Sequence, residues 1–152
     1  MTVGNFSDSA MTNAYYSLPL NLGDIIRKKE QPGISLKESI SAWIHLLLVT
    51  HYGEYKHDEL FGCEIWEHDF ENISNPHKFK DDIQKAVLQT LSLQEPRLSD
   101  IRLDLQIEQV EIILQNRRVK IRIGIRITGT VRKTNEPFVH LESFFIGPLS
   151  YF

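Results

Sequence analysis

The chain has 152 residues and a formal net charge of −3, with 41% hydrophobic and 24% charged residues. This is the composition of an ordinary globular protein, and the length suits one domain that buries a core. The weak charge argues against a nucleic-acid binder, which needs many phosphate contacts. No run of about 18 uncharged apolar residues occurs, so we expect no membrane insertion.

Residues 1–14 are polar and small, without the basic start and apolar run of a secretory signal. They predict a disordered tail, and residues 15–152 a single domain. Cys63 is the one cysteine, so an internal disulfide is excluded, as in a reducing compartment. We therefore expect a cytoplasmic location.

Two short elements are predicted before the first long helix, and residues 15–22 form the first.

 They alternate imperfectly and contain Pro19, a pattern typical of an edge strand or an extended arm. Residues 24–30 predict a short helix, which Pro32 and Gly33 interrupt.

A long buried helix is predicted from Ser35 onward. Ser35 stands three residues before Glu38, so the two side chains can cap each other's backbone N–H groups in a capping box. Apolar residues then recur at spacings of three and four, namely Leu36, Ile40, Trp43, Ile44, Leu47 and Leu48, and Leu46 and Val49 widen the stripe. We expect the helix to end near residues 51–53, with Gly53 as its left-handed terminator.

A second helix is predicted after a loop over residues 54–73 that holds one short helical turn around residues 65–70. It begins at Ser74-Asn75-Pro76, since proline is tolerated in a first turn. Its predicted buried face consists of Phe79, Ile83, Ala86, Val87 and Leu91. Pro96 ends it, because the residue before a proline disfavours helical geometry.

The period of apolar residues changes from 3.6 to 2 after Leu98, which predicts strands. The clearest strand runs from Val119 to Ile127. A two-residue turn at 116–117 would pair Leu114 with Val119, Ile112 with Ile121, and Val110 with Ile123.

In the upstream strand the apolar residues change from odd-numbered to even-numbered positions at Val110. This shift by one residue predicts a β-bulge at Glu108-Gln109. With the bulge, Ile107 pairs with Ile125, and Glu111 lies opposite Arg122. A third strand over residues 138–146 follows a turn at 134–137. The predicted fold class is α+β, with N-terminal helices packed on an antiparallel β-meander that has a long C-terminal hairpin.

Metal and nucleic-acid sites find little support in the sequence. The intervals between His51, His57, Cys63 and His68 match none of the usual zinc patterns, so we predict neither a metal nor a cofactor. Seven of the 17 basic residues lie within 117–133, but no aromatic residues are interleaved for base stacking. We interpret these basic residues as a solvated strand face.

Catalytic residues are not marked either. A glycoside hydrolase needs two facing carboxylates, one of which stays protonated. Candidate acids are available, namely Glu54, Glu64, Glu67, Asp69 and Glu95, but a chain with 20 acidic residues offers such a set by chance. No sequence context activates Cys63 as a nucleophile.

The short motif Glu95-Pro96-Arg97 joins the end of a helix to the start of the sheet. A rigid proline between opposite charges could present a fixed acceptor and a fork of donors to a partner. It could equally be a helix stop with an internal ion pair. The residues alone leave both interpretations open.

Several motifs in order resemble those of the gene-25-like baseplate wedge family, which includes phage tail baseplate proteins and the TssE component of type VI secretion systems. They are the capped helix from Ser35 to Thr50, Gly53-Glu54, Phe61-Gly62, Glu95-Pro96-Arg97 and the Val/Ile-rich meander. The resemblance covers about residues 15–146. The family's Gly-Glu-Arg turn is matched only as Gly53-Glu54-Tyr55.

The resemblance implies a structural subunit without enzymatic activity. Its partners would be the helical core bundle of neighbouring wedge proteins, contacted through Glu95, Pro96 and Arg97, and the contractile sheath, seeded by strand addition. Gly53 and Glu54 would belong to the same partner-binding set. The rival hypothesis is a lysozyme-like peptidoglycan hydrolase, after the family's older label, and a free-standing binding domain is a third.

Overall fold

The computed structural model describes residues 15–68, 76–114 and 116–146. The predicted disordered tail, residues 1–14, lies outside this part. The chain divides into two compact units, residues 1–42 and 43–152, and the boundary falls inside a helix. The prediction of one domain over residues 15–152 stays a prediction.

The first unit contains a small loop closed by two short strands. Strand β1, Tyr15–Tyr16, pairs antiparallel with β2, Gly33–Ile34. Between them helix α1 spans Leu22–Ile26, so the extended arm predicted to Leu22 is shorter than expected. The helix predicted over residues 24–30 begins two residues earlier, because the Asn21 side chain accepts a hydrogen bond from the Asp24 N–H and caps α1, and it ends four residues earlier, at Ile26.

Helix α2, Leu36–Val49, begins with the predicted capping box. The Ser35 N–H donates to Glu38 Oε2 at 2.7 Å, and the Glu38 N–H donates to Ser35 Oγ at 3.3 Å. Hydrogen bonds from the Ser35 backbone and side chain to the Glu38 carboxyl lower its pKa. The predicted apolar stripe is confirmed at its centre, where Ile40, Ile44, Leu47 and Leu48 are fully buried.

The end of α2 differs from the prediction. The helix stops at Val49, and the Thr50 hydroxyl donates back to the Leu46 carbonyl at 2.7 Å. Gly53 does have a positive φ of 75°, but it lies beyond the helix, and its N–H donates to the Glu59 carbonyl. Its left-handed backbone therefore serves a loop turn rather than the helix terminus.

Two further helical segments belong to the second unit. A 3₁₀ helix spans Glu64–His68, close to the predicted helical turn. Helix α3 spans Pro76–Gln94 and packs against this 3₁₀ helix and against the first long strand. Its predicted face is confirmed, because Phe79, Ile83, Ala86, Val87 and Leu91 are all buried.

Three antiparallel strands form the C-terminal sheet in the order β3-β4-β5. They are β3, Leu98–Leu114, β4, Asn116–Val131, and β5, Glu136–Ile146. The meander and the third strand are therefore confirmed. The turn before β5 occupies residues 132–135, slightly earlier than predicted, and the Asn135 N–H closes it on the Val131 carbonyl at 2.8 Å.

The register predicted for the long hairpin is wrong. Leu114 pairs with Asn116 rather than Val119, and Ile107 pairs with Ile123 rather than Ile125. No bulge occurs at Glu108-Gln109; the irregularity lies between Ser99 and Arg102 instead. An uninterrupted ladder already pairs the odd-numbered apolar residues of both strands directly, so an extra unpaired residue is not needed to bury them.

The corrected register also changes the predicted charge pair. Arg122 lies opposite Glu108, not Glu111, and its guanidinium is 3.0 Å from the Glu108 carboxylate. The sheet has one buried face, formed by Leu98, Leu105, Ile123, Ile125, Ile127, Val131, Phe138 and Phe144. On the opposite face, β5 exposes three large apolar side chains, Val139, Leu141 and Phe145.

Candidate partner-binding site

The corner formed by Glu95, Pro96 and Arg97 contains a bidentate ion pair. Glu95 is 1% exposed, and its Oε1 accepts hydrogen bonds from the Arg97 backbone N–H at 3.1 Å and from Nε at 2.8 Å. Its Oε2 accepts from Arg97 Nη2 at 2.6 Å. The internal ion pair considered from the sequence is therefore present. The carboxylate of Glu95 is directed at Arg97, and only the exposed Pro96 and part of Arg97 face outward.

Backbone contacts fix this corner to the sheet. The Arg132 N–H donates to the Arg97 carbonyl at 2.9 Å, and Arg132 Nε donates to the Leu98 carbonyl at 3.0 Å. The chain therefore leaves α3 and enters β3 in one defined direction. Hydrogen bonds thus join the helix end and its ion pair to the β4–β5 turn.

A groove of about 710 Å³ lies beside the corner. It separates the last turns of α3 from the start of β3, and its walls are both apolar and polar. The residues that line it include Leu88, Ser92, Pro96, Asp100, Ile101 and Arg132. Asp100 has a positive φ of 52° at the register irregularity of β3. The groove offers apolar surface together with fixed charges of both signs.

The Gly53-Glu54 turn is exposed and is held by local hydrogen bonds. Glu54 Oε2 accepts from the His51 N–H at 3.0 Å, and the Glu54 N–H donates to the His51 carbonyl at 3.2 Å. Tyr55, which stands where the family has arginine, packs its ring against His57 and Phe61. The position thus supplies a half-exposed aromatic ring in place of a cation.

The structure brings the loop of this turn to the end of α3. Gln94, which precedes the corner, donates from Nε2 to the Leu60 carbonyl at 3.3 Å. The Gln94 carbonyl accepts from Trp43 Nε1 at 3.0 Å, and the Trp43 ring meets Phe61 edge-on. Sequence reasoning missed this connection. The signal was the tryptophan, whose indole N–H needs an acceptor when its ring is buried.

A second cluster of charged and titratable side chains lies between α2 and β5 and consists of His45, His140 and Glu142. His45 Nδ1 is 2.8 Å from Glu142 Oε2, and His140 Nε2 is 3.4 Å from the same oxygen without hydrogen-bond geometry. Burial lowers the pKa of His140, the Glu142 carboxylate opposes this effect, and His45 adds to it. No pattern in the sequence indicates this cluster.

Two residues considered as a nucleophile or metal ligands, Cys63 and His51, make packing contacts within the fold. Cys63 is buried, and desolvation raises the pKa of its thiol, so the reactive thiolate is disfavoured. His51 stacks on Trp66, whose indole donates to the Leu48 carbonyl. Within residues 15–68, 76–114 and 116–146, no group of three His, Cys, Asp or Glu side chains is placed to hold a metal ion. The side chains of Glu67, His68 and Asp69 lie outside the described part.

In the same described ranges, none of the helices has the length and hydropathy needed to cross a membrane.

Comparison with protein-family models identifies one family. Residues 34–136 match the family model described as baseplate wedge protein gp25. Among solved structures, a Geobacter sulfurreducens protein, provisionally named a tail lysozyme, matches with a TM-score of 0.58 and 28% sequence identity. The match covers 80% of this chain and 100% of that one. No curated protein matches the chain.

Proposed function

The chain belongs to the gp25 baseplate wedge family, and from this premise we propose that it docks on neighbouring wedge proteins and seeds the contractile sheath. The family supports a structural role in a baseplate. The finer proposal names two surfaces: the corner at residues 95–97 with its groove, and the free edge of β5.

The observation that carries the docking proposal is the rigid corner beside the groove. Glu95 holds the Arg97 guanidinium in one orientation, and the backbone of Arg97 and Leu98 is tied to Arg132. Because this geometry is set before binding, a partner does not have to order it. A groove with apolar and charged walls suits a helix of the wedge core bundle, the partner that the family resemblance implies.

In this proposal the residues of the corner have different roles. Pro96 and the outward part of Arg97 contact the partner. The buried Glu95 carboxylate holds the Arg97 guanidinium in position through hydrogen bonds. The Gly53-Glu54 turn extends the surface, because Gln94 joins its loop to the end of α3. Leu60 in that loop is 75% exposed and supplies apolar area.

The sheath proposal depends on the edge of β5. In the described part of the sheet, β4 lies on one side of β5 and no strand pairs with its other side. An exposed edge can accept a strand from another chain through main-chain hydrogen bonds. An incoming strand would also bring side chains next to Val139, Leu141 and Phe145, which the monomer leaves exposed. Assembly of this kind would take place in the cytoplasm.

Coexpression with the wedge proteins encoded by neighbouring genes tests the docking. Ser92→Arg places a long cation at the groove while leaving the Glu95–Arg97 pair intact, and we expect it to abolish co-purification. Gln89→Arg is the matched control, since Gln89 is also exposed on α3 but does not line the groove. Equal recovery of both variants with the wedge proteins would reject the groove as the docking site.

Sheath polymerisation tests the edge. Leu141→Lys adds to β5 the charge that natural edge strands use against pairing, and we expect it to reduce seeding by purified protein. Gln106→Lys, on an exposed position of β3, should seed as well as the unaltered protein. Normal seeding by the Leu141 variant would argue against strand addition at β5.

Peptidoglycan hydrolysis is the second candidate, because the solved structural match is provisionally named a tail lysozyme. Among the residues whose burial is described, Glu95 is the buried acidic side chain, and it is bonded to Arg97. A general acid must instead keep its proton. Cell-wall turnover by the purified protein that disappears in Glu95→Gln would favour hydrolysis over the structural role.

A further inference from the structure

The loop between β1 and β2 exposes an unusual amount of apolar surface. Residues 15–23 include no charged side chain. Six large apolar residues of the loop are exposed, namely Tyr16, Leu18, Leu20, Leu22, Ile25 and Ile26. Scattered exposed apolar residues are normal, but a cluster confined to one short segment marks an interaction surface.

Three of these residues form one face of α1. Leu22, Ile25 and Ile26 follow the i, i+3, i+4 spacing of a helix face, with Leu22 68% and Ile26 80% exposed. None of the residues of α1 is buried. Anchors at this spacing are what a helix presents when it binds in an apolar groove.

Polar contacts, not a core, hold α1 in shape. An isolated helix of five residues is not stable through its own propensity. Here Asn21 caps the helix, and the Asn21 backbone exchanges two hydrogen bonds with the Gln31 side chain, both at 3.3 Å. The β1–β2 ladder closes the base of the loop, and the Ser17 N–H donates to the Pro32 carbonyl. The apolar face is thus preformed and directed outward, which lowers the entropy cost of binding.

Charge identifies the kind of partner. Arg27, Lys28 and Lys29 follow α1 directly; Asp24 of the helix lies 3.8 Å from Lys29 Nζ and Glu30 comes next, so residues 15–34 carry a net charge of +1. A groove that accepts the apolar face should therefore carry carboxylates where the end of α1 lies. A second copy of this chain fits less well, because the charges on these surfaces are balanced: Arg132 lines the corner groove together with Asp100, and on the sheet Arg122 and Arg126 lie opposite Glu108 and Asp104.

We propose that residues 15–34 are a docking arm whose helix α1 inserts Leu22, Ile25 and Ile26 into an acidic-rimmed apolar groove of a neighbouring wedge subunit. The inference rests on the proposed wedge function, but it concerns a surface separate from the corner and from β5. It assigns a second attachment point to the chain, and two linked contacts strengthen binding beyond either one.

The test measures binding of the full chain to the purified wedge subunits encoded by neighbouring genes. Leu22→Ser with Ile26→Ser should weaken binding at least about tenfold, the loss typical of removing interface anchors. The melting temperature should not change, since neither side chain is buried. Leu93→Ser is the matched control, because Leu93 is 72% exposed on α3 and does not line the groove, and it should leave this binding unchanged. Equal binding by the arm variant and the control would overturn the proposal.

Charge reversal tests the acidic rim. Arg27→Glu with Lys28→Glu should weaken binding most at low salt, where surface charges are least screened. A photoreactive residue at Ile26 should crosslink to a wedge subunit in the assembled complex, whereas the same probe at exposed Lys80 on α3 should not. Crosslinks from Ile26 to its own chain, or dimers that the arm variant abolishes, would overturn the proposal.

Failure of the arm and failure of the corner give different results. If Ser92→Arg abolishes binding and the arm variant does not, the arm proposal fails and the wedge function stands. If the arm variant alone abolishes binding, the corner fails and the arm stands. If neither variant affects binding to the wedge subunits, both proposals fail.

Discussion

The corner at residues 95–97 and the turn at residues 53–54 differ in how their charges are used. In the corner, the Glu95 carboxylate is buried and already bonded to Arg97. In the turn, Glu54 is exposed and bonds only to a nearby backbone N–H. Of these two motifs from the family resemblance, the corner is therefore bonded within the fold and the turn is exposed. Substitutions in the corner should change stability as well as binding, and those in the turn chiefly binding.

The largest effect is expected at Arg97. Arg97→Ala leaves the Glu95 carboxylate buried without its partner, and breaking a buried pair in this way costs roughly 3–4 kcal/mol of unfolding free energy. Urea denaturation measures the loss. Glu95→Met with Arg97→Leu should be less destabilised than the single variant, because neither charge then remains. A loss below about 1 kcal/mol in Arg97→Ala would show that the pair does not support the joint.

Gly62 lies in the same loop as the Gly53-Glu54 turn, but its backbone is more closely packed. Its φ is 127°, and an added Cβ would lie 2.6 Å from the Thr50 carbonyl oxygen. Because backbone atoms cannot move aside easily, Gly62→Ala should cost about 2–3 kcal/mol. Thermal or urea unfolding measures this, and a stability equal to that of the unaltered protein would contradict the close packing of residues 50 and 62.

Gly53, in the turn itself, is less closely packed than Gly62. Its φ is 75°, but no atom lies within 4 Å of an added Cβ. Gly53→Ala should therefore cost only the left-handed backbone penalty, about 1 kcal/mol. The same unfolding measurement applies. A loss as large as that of Gly62→Ala would mean that the backbone of the turn is as constrained as that at Gly62.

Glu54→Ala should have a smaller effect on stability. The substitution removes one exposed hydrogen bond to the His51 N–H, worth about 0.5–1 kcal/mol. If the turn is a contact, binding to wedge subunits should fall by more than stability does. Unchanged binding, with folding confirmed by circular dichroism, would remove the turn from the partner-binding set.

The pH dependence of stability should involve a region outside both sites. Burial lowers the pKa of His140 below its usual 6.5, so between this lowered pKa and about pH 6.5 the unfolded chain binds a proton that the folded chain does not. Stability should therefore fall as the pH drops through this range, by no more than the slope for one proton. His140→Gln should flatten the dependence, and an unchanged slope in that variant would assign it to other groups.

Local patterns in the sequence were enough to predict most elements. The capping box at Ser35, the buried faces of α2 and α3, and the alternating strands all follow from periods that short segments impose on themselves. Helix α3 ends before Pro96 for the same local reason. The family resemblance also rested on such motifs and their order.

Tertiary structure decided what depends on residues far apart in the chain. The hairpin register was predicted wrongly, because alternation fixes which residues share a face but not which strand positions meet. Whether Glu95 bonds to Arg97 or faces a partner was undecidable from the motif, since both geometries fit a proline corner. The link from Trp43 through Gln94 to Leu60 joins three separate segments. The tryptophan indicates that an acceptor is needed, but only the closed fold decides which carbonyl supplies it.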